Sequence, residues 1–314
     1  MLKQVIEIVE LLDDAGINGD RVKSYLTKRG LSNITVREVK GEEKGKTDFI
    51  KIVVEGKKGK ISGGDAPTLG IIGRLGGIGA RPEMIGMVSD ADGAVAALSC
   101  ALKLADMKQK GDHLEGDVII CTHICPDAPT EPHDPVPFMG SPVDMQTMND
   151  MEVDPMMDAI LSIDTTKGNR ILNKRGFAIT PTVKDGYILK ISDALLDIMQ
   201  IVTGDLPQVL PITTQDITPY GNNLYHINSL MQPCTTTSSP VVGVAITTVS
   251  AVPGCATGAS HEVDIEMTAR FAIEVAKNFT RKTCKFYDET EWEIITKLYG
   301  SMEQLKTIPK AAHQ

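Results

Sequence analysis

The chain has 314 residues, long enough for one large α/β domain or a large domain with a small satellite, and its 42% apolar and 23% charged content is that of a folded globular protein. A net charge of −9 leaves no basic stripe to neutralise phosphates, which argues against nucleic acid and anionic membrane as partners and for a small molecule or short peptide. The opening MLKQVIEIVELLDD carries acids within its apolar pattern, unlike a signal peptide or a membrane span, so a cytoplasmic location is expected; the six cysteines form no CxxC pair and read as reduced thiols.

In chain order, residues 2–13 and 20–28 carry helical apolar stripes, and Gly30 ends the second. Ile34–Val39 and Phe49–Val54 are β-branched runs that read as a meander. From Thr68 onward, TLGIIG, DVIICT, AILSID and VVGVAITTVS are near-continuous apolar runs, the pattern of parallel strands covered on both faces. Helical segments lie among and after them: ADGAVAALSCALKLADMKQ, ISDALLDIMQIVTG, HEVDIEMTARFAIEVAKNFT and ETEWEIITKLYGSMEQL. The alternation predicts a doubly wound, mostly parallel sheet with helices on both faces, in a single domain over 1–314 with residues 1–62 packed on it as an N-terminal part. CTHICPDAPTEPHDPVPFMGSP holds six prolines, so it is expected as a long loop leaving the carboxyl end of DVIICT, where ligands bind in such sheets. The methionine-rich MGSPVDMQTMNDMEVDPMM suggests an exposed interface and a homo-oligomer.

GRLGGIGARP matches neither the dinucleotide fingerprint nor the Walker loop, and its glycines read as a tight turn or close packing. Asp90 and Asp92 sit where a strand-to-helix loop meets a helix start; Asp92 reads as a helix cap, while Asp90 is as well suited to project into a cleft. Asp164 ends a core strand and is either a turn former or a ligand, and His261 opens a helix near the sheet edge. His123, Asp127, Glu131, His133 and Asp134 crowd the proline-rich loop with imidazole and carboxylate, the groups that divalent metals take.

Taken in order, GINGDRV, SDADGAVAAL, SID at 162–164 and GASHEVD resemble segments of the co-catalytic zinc aminopeptidases, the glutamyl and deblocking aminopeptidase type. The resemblance implies that Asp90 bridges two metals, with Asp164 and His261 each binding one. The family's histidine-and-aspartate motif falls on GRLGGIG, where Arg74 and Gly76 stand, and its paired glutamates fall on His123, Cys125, Pro126 and Asp127. Too few residues lie between the first core strand and Asp90 for that family's inserted β domain. GRLGGIGARPEMIGMVSDADGA and THICPDAPT are also similar to an uncharacterised prokaryotic family, a domain of unknown function.

Two functional classes follow. The first is a divalent-metal hydrolase of a peptide, amide or related small substrate, using Zn, Mn or Co held by Asp90, Asp164, His261 and His133, with His123, Asp127 and Arg74 as the catalytic set. The second is a metal-free descendant that binds a small molecule or regulates, in which Arg74 pairs with Asp90 or with a substrate carboxylate, and possession of no cofactor is equally consistent with the sequence.

Overall fold

The computed structural model describes residues 1–41, 45–74, 76–78, 86–126, 128–134, 136–250 and 252–309. Helices α1 (Leu2–Leu12) and α2 (Gly19–Lys28) lead into the hairpin β1 (Ile34–Lys40) and β2 (Lys46–Val54). Asn18 starts α2 by accepting the Arg21 backbone N–H at 2.9 Å. Then come β3 (Leu69–Gly73), α3 (Asp92–Gln109), β4 (Val118–Ile124), β5 (Thr130–Glu131), β6 (Phe138–Met139), α4 (Met145–Glu152) and β7 (Ala159–Thr165). The rest comprises β8 (Gly176–Ile179), β9 (Val183–Lys184), β10 (Tyr187–Ile188), α5 (Asp193–Thr203), β11 (Val241–Thr247), α6 (Glu262–Thr280) and α7 (Glu289–Tyr299).

One sheet organises the chain in the order β1-β2-β4-β3-β7-β11-β9-β10, with β8 also paired to β11. Its centre, β4-β3-β7-β11, is parallel, and antiparallel partners flank it on both sides, β2 beside β4 and β8 beside β11. The four central strands are buried at every position, which is why they are written as unbroken apolar runs. One face is covered by α1, α2, α3, α5 and α6, whose apolar side chains share a core with Ile71, Ile120, Leu161 and Val244. The other face, through Ile72, Cys121, Ile160 and Ala245, meets the 3-10 segments Gln215–Ile217 and Ser229–Thr235. Toward the sheet edge on β2, α4 lies against Phe49 through Met148.

Three expectations change. The proline-rich loop is not entirely irregular, because β5 and β6 pair within it as a short antiparallel ladder. The methionine-rich segment is only in part an exposed surface: Met139, Met148 and Met157 are buried within their own chain, because α4, capped by Asp144, lays its apolar side on the sheet, whereas Met156 is exposed. Strands β8, β9 and β10 were not expected, being four residues or shorter and lacking a long apolar run. Among the described residues no helix is long and apolar enough to cross a membrane.

Chain direction reverses around β3. From β3 the chain passes through α3 to β4 on one side, and from β4 it returns past β3 to β7 on the other. A crevice is left outside the carboxyl ends of β3 and β7 at such a reversal, the general location of ligand sites in open α/β sheets.

Candidate functional site at the carboxyl edge of the sheet

Three short segments meet at this crevice. Arg74 follows β3 and its backbone N–H donates to the Ile163 carbonyl at 2.7 Å, which holds the end of β3 against β7. Asp90 lies on the turn Ser89–Ala91 that leads into α3. That turn is tied to the segment after β11: the N–H groups of Ser89 and Asp90 donate to the carbonyls of Thr257 and Cys255 at 2.8 and 3.1 Å, and Ser89 Oγ donates to Cys255 at 2.9 Å. Asp164 is the penultimate residue of β7 and is fully buried.

Asp90 and Asp164 form the electrostatically tense part of the site. Burial, followed by the Asp164 carboxylate, holds the Asp90 carboxyl well above the usual carboxylate range, against the opposing pull of the Cys255 thiol and the Gly77 N–H. Burial likewise pushes Asp164 up to about 6, although Ser229, Arg74, the Thr165 N–H and His123 all favour its charged form. Ser229 Oγ donates to Asp164 Oδ2 at 2.5 Å and the Thr165 N–H to Oδ1 at 2.7 Å, fixing the carboxylate plane. Burial and the nearby Asp164 carboxylate together disfavour the charged form of Asp90. Burial also raises the Cys255 thiol to about 12, with Asp90 adding to the shift.

Beside this pair stands a network that satisfies itself. Glu152, the last residue of α4, takes Arg74 Nη1 on one oxygen at 2.8 Å and His123 Nδ1 on the other at 2.6 Å. Arg74 Nη2 donates to Asn149 Oδ1, and Asn149 in turn donates to Thr235 Oγ1 at 3.3 Å. Arg74, His123, Asn149 and Glu152 are all at most 2% exposed. Because His123 Nε2 accepts the Gly76 N–H at 3.2 Å, its proton sits on Nδ1 and points to Glu152. Only Arg74 Nε within this network lacks a partner among the described residues. Arg74 therefore pairs with Glu152, and not with Asp90, one of the two partners that the metal-free reading of the sequence allowed it. The reason is geometric: α4 brings a buried carboxylate directly to the guanidinium.

A second buried ion pair lies beyond Asp90. Asp92 does not cap α3; its side chain accepts from Lys167 Nζ at 2.5 Å and Ser260 Oγ at 2.6 Å, while Lys167 Nζ also donates to the Ala259 carbonyl at 2.9 Å. Burial raises Asp92 and the Lys167 ammonium counters it. His261 occupies the cap position of α6 without a capping bond, and it is near enough to Asp92 to lower the pKa of that carboxyl.

Of the residues singled out in the sequence, Asp90, Asp164, Arg74 and His123 are thus gathered at one edge. His261 lies on the Asp92 side, where its Nδ1 is buried without a partner among the described residues. His133 is exposed, its Nδ1 3.2 Å from the Val136 carbonyl, and Asp127 lies outside the described residues. The glycines of GRLGGIG act by close packing: a Cβ on Gly76 would lie 1.6 Å from the His123 carbonyl oxygen, and one on Gly77 2.7 Å from Asp90 Oδ2. Glu152, Lys167, Ser229 and Cys255 escaped the sequence reading. Lys167 alone had a local signal, since it follows Asp164 by three residues at a strand exit.

A profile of DUF1177, described as a protein of unknown function, matches residues 38–309. The chain belongs to the DUF1177 family. No curated protein matches it. Among solved structures, it is similar to the glutaminyl cyclase of Acidobacteriales bacterium, at 8% identity and a TM-score of 0.48, over 90% of this chain and 94% of that one. It is also similar to the glutaminyl cyclase of Tannerella forsythia, at 10% identity and a TM-score of 0.44, over 92% and 99% of the two chains.

The donors can be weighed against the two-metal centre that the zinc aminopeptidase resemblance implies. Among the described residues no group of three or more His, Cys, Asp or Glu side chains is arranged to hold a metal ion. A co-catalytic pair needs more ligands than Asp90 and Asp164 supply. Two carboxylates do fit a single hard divalent cation of the kind held by one or two carboxylates and water.

Proposed function

We propose that this DUF1177 protein is a hydrolase of a peptide, amide or related small substrate, with Asp90 and Asp164 as working carboxylates and one divalent cation as their partner. The observation that carries this reading is the burial of Asp90 and Asp164 at the reversal point of the sheet, which raises both carboxyls, with the Asp164 carboxylate further opposing ionisation of Asp90. A bound divalent cation supplies polarisation of a carbonyl and a more acidic water. Asp164, with its pKa near 6, exchanges a proton close to neutrality and is suited to take one from water and return it. Ser229 and the Thr165 N–H keep it oriented, and the Cys255 thiol and Gly77 N–H orient Asp90. His123 serves as a positioning residue, since both of its ring nitrogens are engaged.

A second reading is favoured by the Arg74–Glu152–His123 network: a scaffold whose former ligand positions have closed into a structural ion cluster and which binds a small molecule without hydrolysing it. Elemental analysis of wild type and Asp90→Asn after supply of manganese, zinc or cobalt, with a hydrolysis screen on short peptides and amides, separates the two. The hydrolase reading expects metal in the wild type, loss of it in the variant and metal-dependent turnover. Absence of retained metal at every supply, with no turnover, supports the second reading.

A further inference from the structure

The 3-10 segment Ser229–Thr235 does more than cover the sheet. Residues three apart lie on one side of such a helix, and Ser229, Gln232 and Thr235 form a buried polar stripe there. Ser229 Oγ holds Asp164 at 2.5 Å, and Thr235 Oγ1 accepts from Asn149, the partner of Arg74, at 3.3 Å. Between them, Gln232 grips the loop that precedes the segment: its Nε2 donates to the Thr218 carbonyl at 2.9 Å and its Oε1 accepts the Tyr220 N–H at 3.1 Å. The Tyr220 backbone is thereby tied to a side chain one 3-10 turn, roughly 6 Å, along from the one that holds Asp164. The Tyr220 and His226 rings meet edge to face, with centroids 4.6 Å apart and planes at 67°, which sets the direction of the phenol. That phenol lies within electrostatic reach of Asp164 and Arg74, so it turns toward the crevice. Burial, followed by the Asp164 carboxylate, holds it above its ordinary value against the Arg74 guanidinium, and it keeps its proton throughout the neutral range. Tyr220 is half-buried, and its hydroxyl donates to none of the described residues. A half-buried phenol without a partner is common on protein surfaces; this one is set apart by facing two buried ions of opposite sign.

We infer that the Tyr220 hydroxyl is the hydrogen-bond donor that the crevice presents to the carbonyl oxygen of the substrate. The catalytic role of this contact rests on the hydrolase reading, whereas the contact itself does not. Other donors at this edge are already committed: Ser229 Oγ and the Thr165 N–H to Asp164, both Nη groups of Arg74 to Glu152 and Asn149, and His123 Nδ1 to Glu152. When water adds to the carbonyl carbon, the π pair of the C=O bond moves to oxygen and Asp164 takes the proton released from the water. The Tyr220 O–H donates to the new oxyanion without giving up its own proton. When the C–N bond breaks, the pair returns to re-form C=O and the proton on Asp164 passes to the departing amine.

Steady-state kinetics of Tyr220→Phe test it, on the peptides or amides that the metal-supplied wild type hydrolyses. Phenylalanine keeps the ring against His226 and removes the hydroxyl alone. The kcat is expected to fall about 10–100-fold with KM changed by less than about threefold, the pattern of an interaction made only in the transition state. Because the hydroxyl has no partner in the folded chain, thermal unfolding of the variant is expected to coincide with that of wild type, which separates loss of chemistry from loss of structure. Full turnover in Tyr220→Phe overturns the inference and leaves the hydrolase reading standing. A wild type that hydrolyses nothing fails that reading instead, and the inference is then decided by calorimetric titration of the full chain with N-acetylalaninamide and N-acetylleucinamide. Binding that weakens about fivefold or more in Tyr220→Phe, the worth of one neutral hydrogen bond, upholds Tyr220 as the carbonyl donor. Equal binding by the two proteins, or none by the wild type, overturns it.

Discussion

The sheet carries buried aspartates at both of its ends, and they live under different conditions. At the amino edge, Asp117 precedes β4 with no exposed surface, and each of its oxygens accepts a backbone N–H, from Gly56 at 2.9 Å and Ile61 at 3.0 Å. Its charge closes a loop and nothing is left over. At the carboxyl edge, Asp90 and Asp164 are also buried, yet their hydrogen bonds do not offset burial, to which the Asp164 carboxylate adds at Asp90. Burial of a carboxylate is therefore not itself a sign of function; a buried carboxylate whose surroundings leave its charge uncompensated is.

The largest effect that sharpens this contrast is expected within the compensated network beside the site. Glu152→Ala strands the buried Arg74 charge and takes away the His123 acceptor, so chemical denaturation should show a loss of about 3–5 kcal/mol. At the amino edge, Asp117→Ala leaves two backbone amides without acceptors and is expected to cost about 3 kcal/mol by the same measurement. A loss comparable to that of an ordinary surface substitution at either position would break the contrast.

Asp164→Asn should behave differently in kind. The folded-state pKa of Asp164 lies above its unfolded value, so between the two the folded protein binds a proton that the unfolded chain does not. Its contribution to stability is therefore full below about pH 4 and is lost as pH rises through about 6. Asparagine removes that dependence, so the variant should gain on the wild type between pH 4 and 7 by an amount on the order of 2 kcal/mol, read from denaturation curves at each pH. The smallest effect is expected at His133, exposed on the loop: His133→Ala should alter stability by less than about 0.5 kcal/mol.

Much of the architecture was legible because parallel strands covered on both faces must be apolar throughout, and TLGIIG, DVIICT, AILSID and VVGVAITTVS stand out for that reason. The two-residue strands β9 and β10 and the four-residue β8 were not legible, since their pairing depends on β11 and not on a local pattern. Asp90 and Asp164 could be picked out because an acid at the carboxyl end of a strand, or at the helix start that follows, is placed by topology in the crevice. Their surroundings could not be read in the same way. Glu152 reaches Arg74 across 78 residues and Lys167 reaches Asp92 across 75, and whether each ion found a protein partner is decided by packing. Asp92 was misread as a cap for that reason, and the alternative that paired Arg74 with Asp90 failed for the same one.

The most direct measurement is thermal unfolding of wild type and Asp164→Asn from pH 4 to 8, in EDTA and with manganese. The wild type in EDTA should lose stability as pH rises through about 6, manganese should restore it near neutrality, and Asp164→Asn should show a smaller loss, the part due to Asp90, and no restoration. Identical pH profiles for the two proteins, unmoved by manganese, would contradict the claim that Asp90 and Asp164 form an uncompensated pair awaiting a proton or a cation.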